Sequence, residues 1–156
     1  MNAIADKFAP LDVGSAFVYT HEAHPGENVP HLTSLEQKFR HARLLRDEIG
    51  VTRPIVVDAL DGACHRAYGS MPNMTWIFAR SGLILYKSDW TDAHSVENAI
   101  EYFAQIPARR KTGERLAGFR VERFDYRNQE REQFYQRLER NGQKALEEFK
   151  KAFPNG

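Results

Sequence analysis

His21, Glu22, His24 and His31 crowd one short stretch. Imidazoles titrate near neutrality, so such a stretch suits proton transfer. Glu22, between these imidazoles, fits an exposed loop carboxylate. His24, directly ahead of Pro25, also fits a surface-loop histidine. His21, His24 and His31 offer three nitrogen ligands, but no fourth follows at a suitable spacing, which disfavours zinc. Cys64, the single cysteine, stands after Asp61-Gly62 at the start of a helix, where a thiol pKa can fall. A lone cysteine is more often a small buried hydrophobe, and that structural reading is favoured. There is no Gly-rich phosphate loop and no Ser/His/Asp triad signature. Phe17, Tyr19, Trp76 and Phe78 fall at core positions and imply no cofactor.

The elements that must position these groups alternate. Ile4 and Phe8, four apart in Asn2 to Phe8, mark a helix closed by Pro10. Ala16 to Thr20 is a short apolar run of strand character. Thr33-Ser-Leu-Glu36 fits a capping box. Behind it Leu35, Phe39, Ala42, Leu45 and Ile49 fall on one helical face, with Gly50 at the C-cap position. Ile55-Val56-Val57 is continuously β-branched, which predicts a strand covered on both faces. Met74 to Ala79 and Leu83 to Lys87, joined through Arg80-Ser-Gly82, read as an antiparallel hairpin. Val96, Ala99, Ile100 and Phe103 mark a helix ended by Pro107. The order is αβαβαββα, an α/β fold.

At 156 residues, 42% hydrophobic and 28% charged, the chain is of ordinary globular composition. No run approaches the length of a membrane span, and Met1-Asn-Ala-Ile-Ala-Asp-Lys lacks the apolar region of a signal peptide. A cytoplasmic location is the expectation, and one cysteine excludes an internal disulfide framework. Residues 1–107 carry 9 Lys and Arg against 13 Asp and Glu, a net of −4, whereas residues 108–156 carry 13 against 8, a net of +5. In this basic segment both signs mix at helical spacing, which favours a solvated helix over nucleic-acid binding. Arg109-Arg-Lys-Thr-Gly113 reads as a linker. Arg127 to Phe153 reads as helix with a break near Asn141-Gly142. Its Phe134, Leu138, Ala145, Leu146, Phe149 and Phe153 make a stripe expected to pack back on the sheet; the alternative is a partner-binding helix.

Tyr19-Thr-His-Glu-Ala-His-Pro25 resembles the Tyr-Ile-Glu-Glu-Ala-His stretch of the iodothyronine deiodinases. The likeness continues through Glu36 and its helix, Val57-Asp58 with Asp61, Ala67-Tyr68-Gly69, Pro72 ahead of the Trp76-Ile-Phe78 strand, and Gly82-Leu-Ile-Leu-Tyr86. It covers about residues 2 to 105. The resemblance implies a thioredoxin-like mixed sheet flanked by helices, here over residues 1–107, with residues 108–156 as a basic helical extension. It also implies a selenocysteine or cysteine at the N-terminus of the first helix, where backbone N–H groups and the dipole stabilise a selenolate or thiolate. That nucleophile and its central strand are absent from these residues. The sequence therefore reads as opening inside the helix, as a start methionine chosen just after a selenocysteine codon would leave it; a genuine short form or a domain completed by another chain would give the same residues.

His24 matches the family's loop histidine, the proton donor to the leaving carbon or oxygen, with Glu22 as its orienter. His31 lies one residue from a second family histidine, and Pro72 stands slightly early for the cis-proline that faces the nucleophile. Ile55–Val57 is expected parallel to Phe17–Tyr19, Trp76–Phe78 antiparallel to Leu83–Leu85, and His24 is expected to point toward the start of Asn2–Phe8. The activity implied is thiol- or selenol-dependent reduction of an iodinated compound, a peroxide or a disulfide. It needs no bound cofactor but takes an external thiol as reductant. The alternative is a non-catalytic thioredoxin-like interaction module that holds a protein partner through the C-terminal helices.

Overall fold

The computed structural model describes residues 1–115 and 131–154. It is a mixed α/β structure whose first eight main elements follow the expected order: α1 (Asn2–Phe8), β1 (Phe17–Tyr19), α2 (Leu35–Asp47), β2 (Ile55–Val57), α3 (Ala63–Ala67), β3 (Thr75–Phe78), β4 (Ile84–Ser88) and α4 (Ala93–Lys111). α5 (Arg131–Asn141) and α6 (Gln143–Ala152) follow. The part of the expected C-terminal helix from Arg127 to Glu130 lies outside the described residues.

The strands form two separate ribbons. β1 and β2 run parallel, with Val18 opposite Val56, and β3 and β4 run antiparallel, with Ile77 opposite Tyr86. Both pairings are those expected from the sequence. Gly82, at φ +84, makes the turn between β3 and β4 in a conformation that only glycine adopts freely. Among the described residues no strand pairing joins one ribbon to the other. The bonds Phe17 N–H to Pro54 O and Asp58 N–H to Tyr19 O set the alternation along β1. That alternation turns the Val18 amide to the open edge.

α1 buries Ile4 and Phe8 and lies beside α4, whose Val96 and Ala99 are also buried. Lys7 ties the two helices by ion pairs to Glu97 and Glu101. α1 has no side-chain N-cap. α4 starts on Asp92, whose carboxylate accepts from Ser95 N–H at 2.8 Å.

Several expectations need correction. α4 runs through Pro107 to Lys111, so Arg109 to Lys111 are helix and not linker. An interior proline loses its N–H bond and crowds the preceding turn, yet the helix continues past Pro107, where Arg109 pairs with Glu114 and lies over the Tyr102 ring. The cap of α2 is displaced by one residue: Ser34 accepts from Gln37 N–H, while Gln37 Oε1 accepts from Thr33 N–H at 2.8 Å. Glu36 pairs with Arg40 instead. The face α2 turns inward is Lys38, His41 and Ala42, leaving Leu35, Phe39 and Ile49 exposed. Polar side chains with partners beneath the helix outcompete the apolar stripe there. β2 is not covered on both faces either: Val56 is 52% exposed.

Candidate functional site

The carboxyl ends of β1 and β2 deliver a set of polar side chains to one place, between α2 and α3. Tyr19 ends β1, and Glu22 follows it in the loop. The Tyr19 hydroxyl donates to Glu22 Oε1 and lies 3.4 Å from His41 Nδ1, which is itself 3.5 Å from the same carboxylate oxygen. Tyr19 and His41 are both buried. Burial, together with the carboxylate, holds the Tyr19 hydroxyl well above the usual phenol range, so it stays a donor. The three groups close a triangle beneath the loop.

Asp58, just past β2, organises the other half. Its two carboxylate oxygens accept from the N–H groups of Cys64 and His65, at 3.0 and 2.9 Å, and so fix the first turn of α3. Burial pushes its pKa up, but these backbone donors, Ala59 N–H and the Lys38 charge outweigh burial and hold the carboxyl below its ordinary value. Lys38 is 1% exposed, and its Nζ donates to Ala59 O at 2.9 Å. Burial lowers the Lys38 pKa against the opposing pull of Asp58 and Asp61. The His65 ring lies 4.8 Å from that of His21, and its Nε2 is 2.8 Å from Met71 O. His21 is lowered by burial first and then by the charges of His65 and Lys38.

The anticipated residues divide between this cluster and a neighbouring cleft. Glu22 belongs to the cluster, where it serves Tyr19 and His41 and not His24. Cys64 is half-buried in the first turn of α3, so it is not the fully enclosed hydrophobe expected of a structural cysteine. Pro72 is exposed in the segment leading to β3, and its peptide bond is trans. Among the described residues, no group of three or more His, Cys, Asp or Glu is placed to hold a metal ion.

His24 and His31 line the cleft, a cavity of about 650 Å³ between the loop after β1 and α6. The His24 ring meets Phe149 edge-on at 5.5 Å and Phe134 at 6.0 Å. It therefore engages the C-terminal helices, where the sequence led us to expect it facing the start of α1. This burial lowers its pKa and favours the neutral imidazole. His31 is exposed at the cleft's rim. Lys144 and Glu148 bring a charge of each sign to the same wall.

The predicted stripe on α5 and α6 docks on this loop and on the end of α2, where Arg140 pairs with Glu48, and not across a strand. Leu138, Ala145 and Leu146 are buried, and Phe153 is exposed. Sequence reasoning missed Lys38 and His41. The one available signal is their i, i+3 spacing on the flank of the α2 stripe. No family model, curated protein or solved structure matches the chain.

Proposed function

We propose that the chain is a thiol- or selenol-dependent oxidoreductase domain of the thioredoxin-like, deiodinase-related type. In this reading a strand bearing cysteine or selenocysteine seats between the two ribbons. The selenolate or thiolate attacks an electrophilic iodine, a peroxide oxygen or a disulfide sulfur. His24 gives a proton to the leaving carbon or oxygen, and an external thiol restores the nucleophile. The observation that carries the reading is the presence of one parallel ribbon, β1–β2, and one antiparallel ribbon, β3–β4, with no strand pairing between them among the described residues. The indole N–H of Trp76 on β3 supports it, because it is buried without an acceptor among the described residues. The loop bearing His24 leaves the carboxyl end of β1, the end at which open α/β sheets place their chemistry.

Lowered by burial, His24 is mostly neutral at neutral pH, so the acid form is the scarce one. Turnover limited by that proton should rise as pH falls toward the His24 pKa. The test is an assay of the polypeptide extended ahead of Met1 by its own coding sequence, offered a hydroperoxide, a disulfide or an aryl iodide with a dithiol reductant. Thiol-dependent turnover that requires a cysteine or selenocysteine in the extension is expected. An extension with neither residue, or one that turns over none of the three, would move the chain to the interaction-module class.

A further inference from the structure

We infer that the α5–α6 hairpin is the positioning element for His24, latched to the loop at Gly26, Glu27 and Asn28. This rests on the reading of His24 as proton donor, but the latch itself is visible in the geometry. Asn141, at the end of α5, donates from Nδ2 to His24 O at 3.0 Å. Asn28 returns two bonds, from its N–H to Asn141 O at 3.1 Å and from its Nδ2 to Arg140 O at 2.9 Å. The Glu27 carboxylate accepts the Lys144 N–H, at 3.0 and 3.1 Å to its two oxygens, and so covers the first turn of α6.

Two glycines make the approach close enough for these bonds. A methyl group on Gly26 would collide with the Asn141 carbonyl, and one on Gly142 would collide with the Glu27 side chain. Gly142 also has φ +112, which favours glycine on its own account. Gly26 has no such constraint, so its fit to Asn141 is a purely steric requirement.

The consequence for His24 is direct. Its carbonyl is held by Asn141 and its ring lies against Phe134 and Phe149, so backbone and imidazole are both fixed by the same hairpin. Without the hairpin, the loop between β1 and α2 would hold His24 by neither end. The ionisable groups that share its cleft are His31, Lys144 and Glu148, with Glu27 at the latch.

The test is a His24 titration by NMR in the full chain, compared with Gly26→Ala and Phe149→Ala. The unaltered protein should titrate below the ordinary histidine value of about 6.5. Gly26→Ala, which adds one methyl and no backbone strain, should lift the midpoint toward that value. It should also raise amide exchange at Asn28 by about tenfold or more. Phe149→Ala should lift the midpoint while leaving the latch bonds in place, which separates the cage from the latch. The Val18 and Val56 amide signals report that β1 and β2 stay folded. A His24 midpoint unmoved by both changes, with those signals intact, would overturn the inference. The proton-donor reading fails by a different result, turnover unchanged on replacing His24, so the two outcomes cannot be confused.

Discussion

The junction between the His24 loop and the C-terminal hairpin and the space between the two β ribbons are opposites. At the junction, glycine meets backbone, a carboxylate covers a helix start, and bonds run in both directions. No strand pairing joins the ribbons among the described residues, and the buried indole N–H of Trp76 on β3 goes without an acceptor among them. A chain that completes one interface so fully and leaves the other open has its own means of placing His24. The contrast teaches that the loop bearing His24 is organised by the C-terminal hairpin and not by the strands.

The largest effect should come from breaking the closed side. Leu138→Ala removes a side chain that is 3% exposed and should cost about 2–5 kcal/mol of hairpin docking. Hydrogen exchange should rise along α5 and α6 while β1 and β2 keep their protection. A loss shared equally by the ribbons would show that the two regions are one cooperative unit.

Next comes the buried cluster that lies between them. Lys38→Ala leaves Ala59 O without its donor and should cost about 1–3 kcal/mol in urea unfolding. The pH dependence has a definite sign. The folded-state pKa of Lys38 lies below its unfolded value of 10.5, so the unfolded chain binds more protons between the two. Stability contributed by this residue therefore rises with pH through that alkaline window. The rise should vanish in the variant.

The smallest effect belongs to an exposed strand face. Val56→Thr, on a half-exposed face of β2, should change stability by less than about 0.5 kcal/mol. A larger loss would mean that this face is covered.

What the sequence made legible follows from locality. The element order, the antiparallel hairpin and the turn at Gly82 rest on short-range patterns of β-branching, capping and glycine, whereas the parallel pairing of β1 with β2 came from the family resemblance. The rotation of α2 does not. Leu35, Phe39 and Ile49 make the better hydrophobic stripe, yet Lys38 and His41 point inward because Ala59 O, Glu22 and Tyr19 await them from distant parts of the chain. Hydropathy cannot register a partner that tertiary contact supplies. The same holds for His24: its loop was readable, but the hairpin that holds it depends on Gly26 fitting the backbone of Asn141, a contact 115 residues distant in sequence. Pro107 shows the limit of a local breaker, since the helix continues past it to Lys111.

The most direct test of the account is the turnover of the upstream-extended polypeptide, with dithiol reductant, across pH and with His24→Gln beside the unaltered protein. The account predicts a rate that rises as pH falls toward the depressed His24 pKa, and a loss of about 10² or more in the variant together with that limb of the profile. Equal rates and identical pH profiles for the two proteins would contradict it.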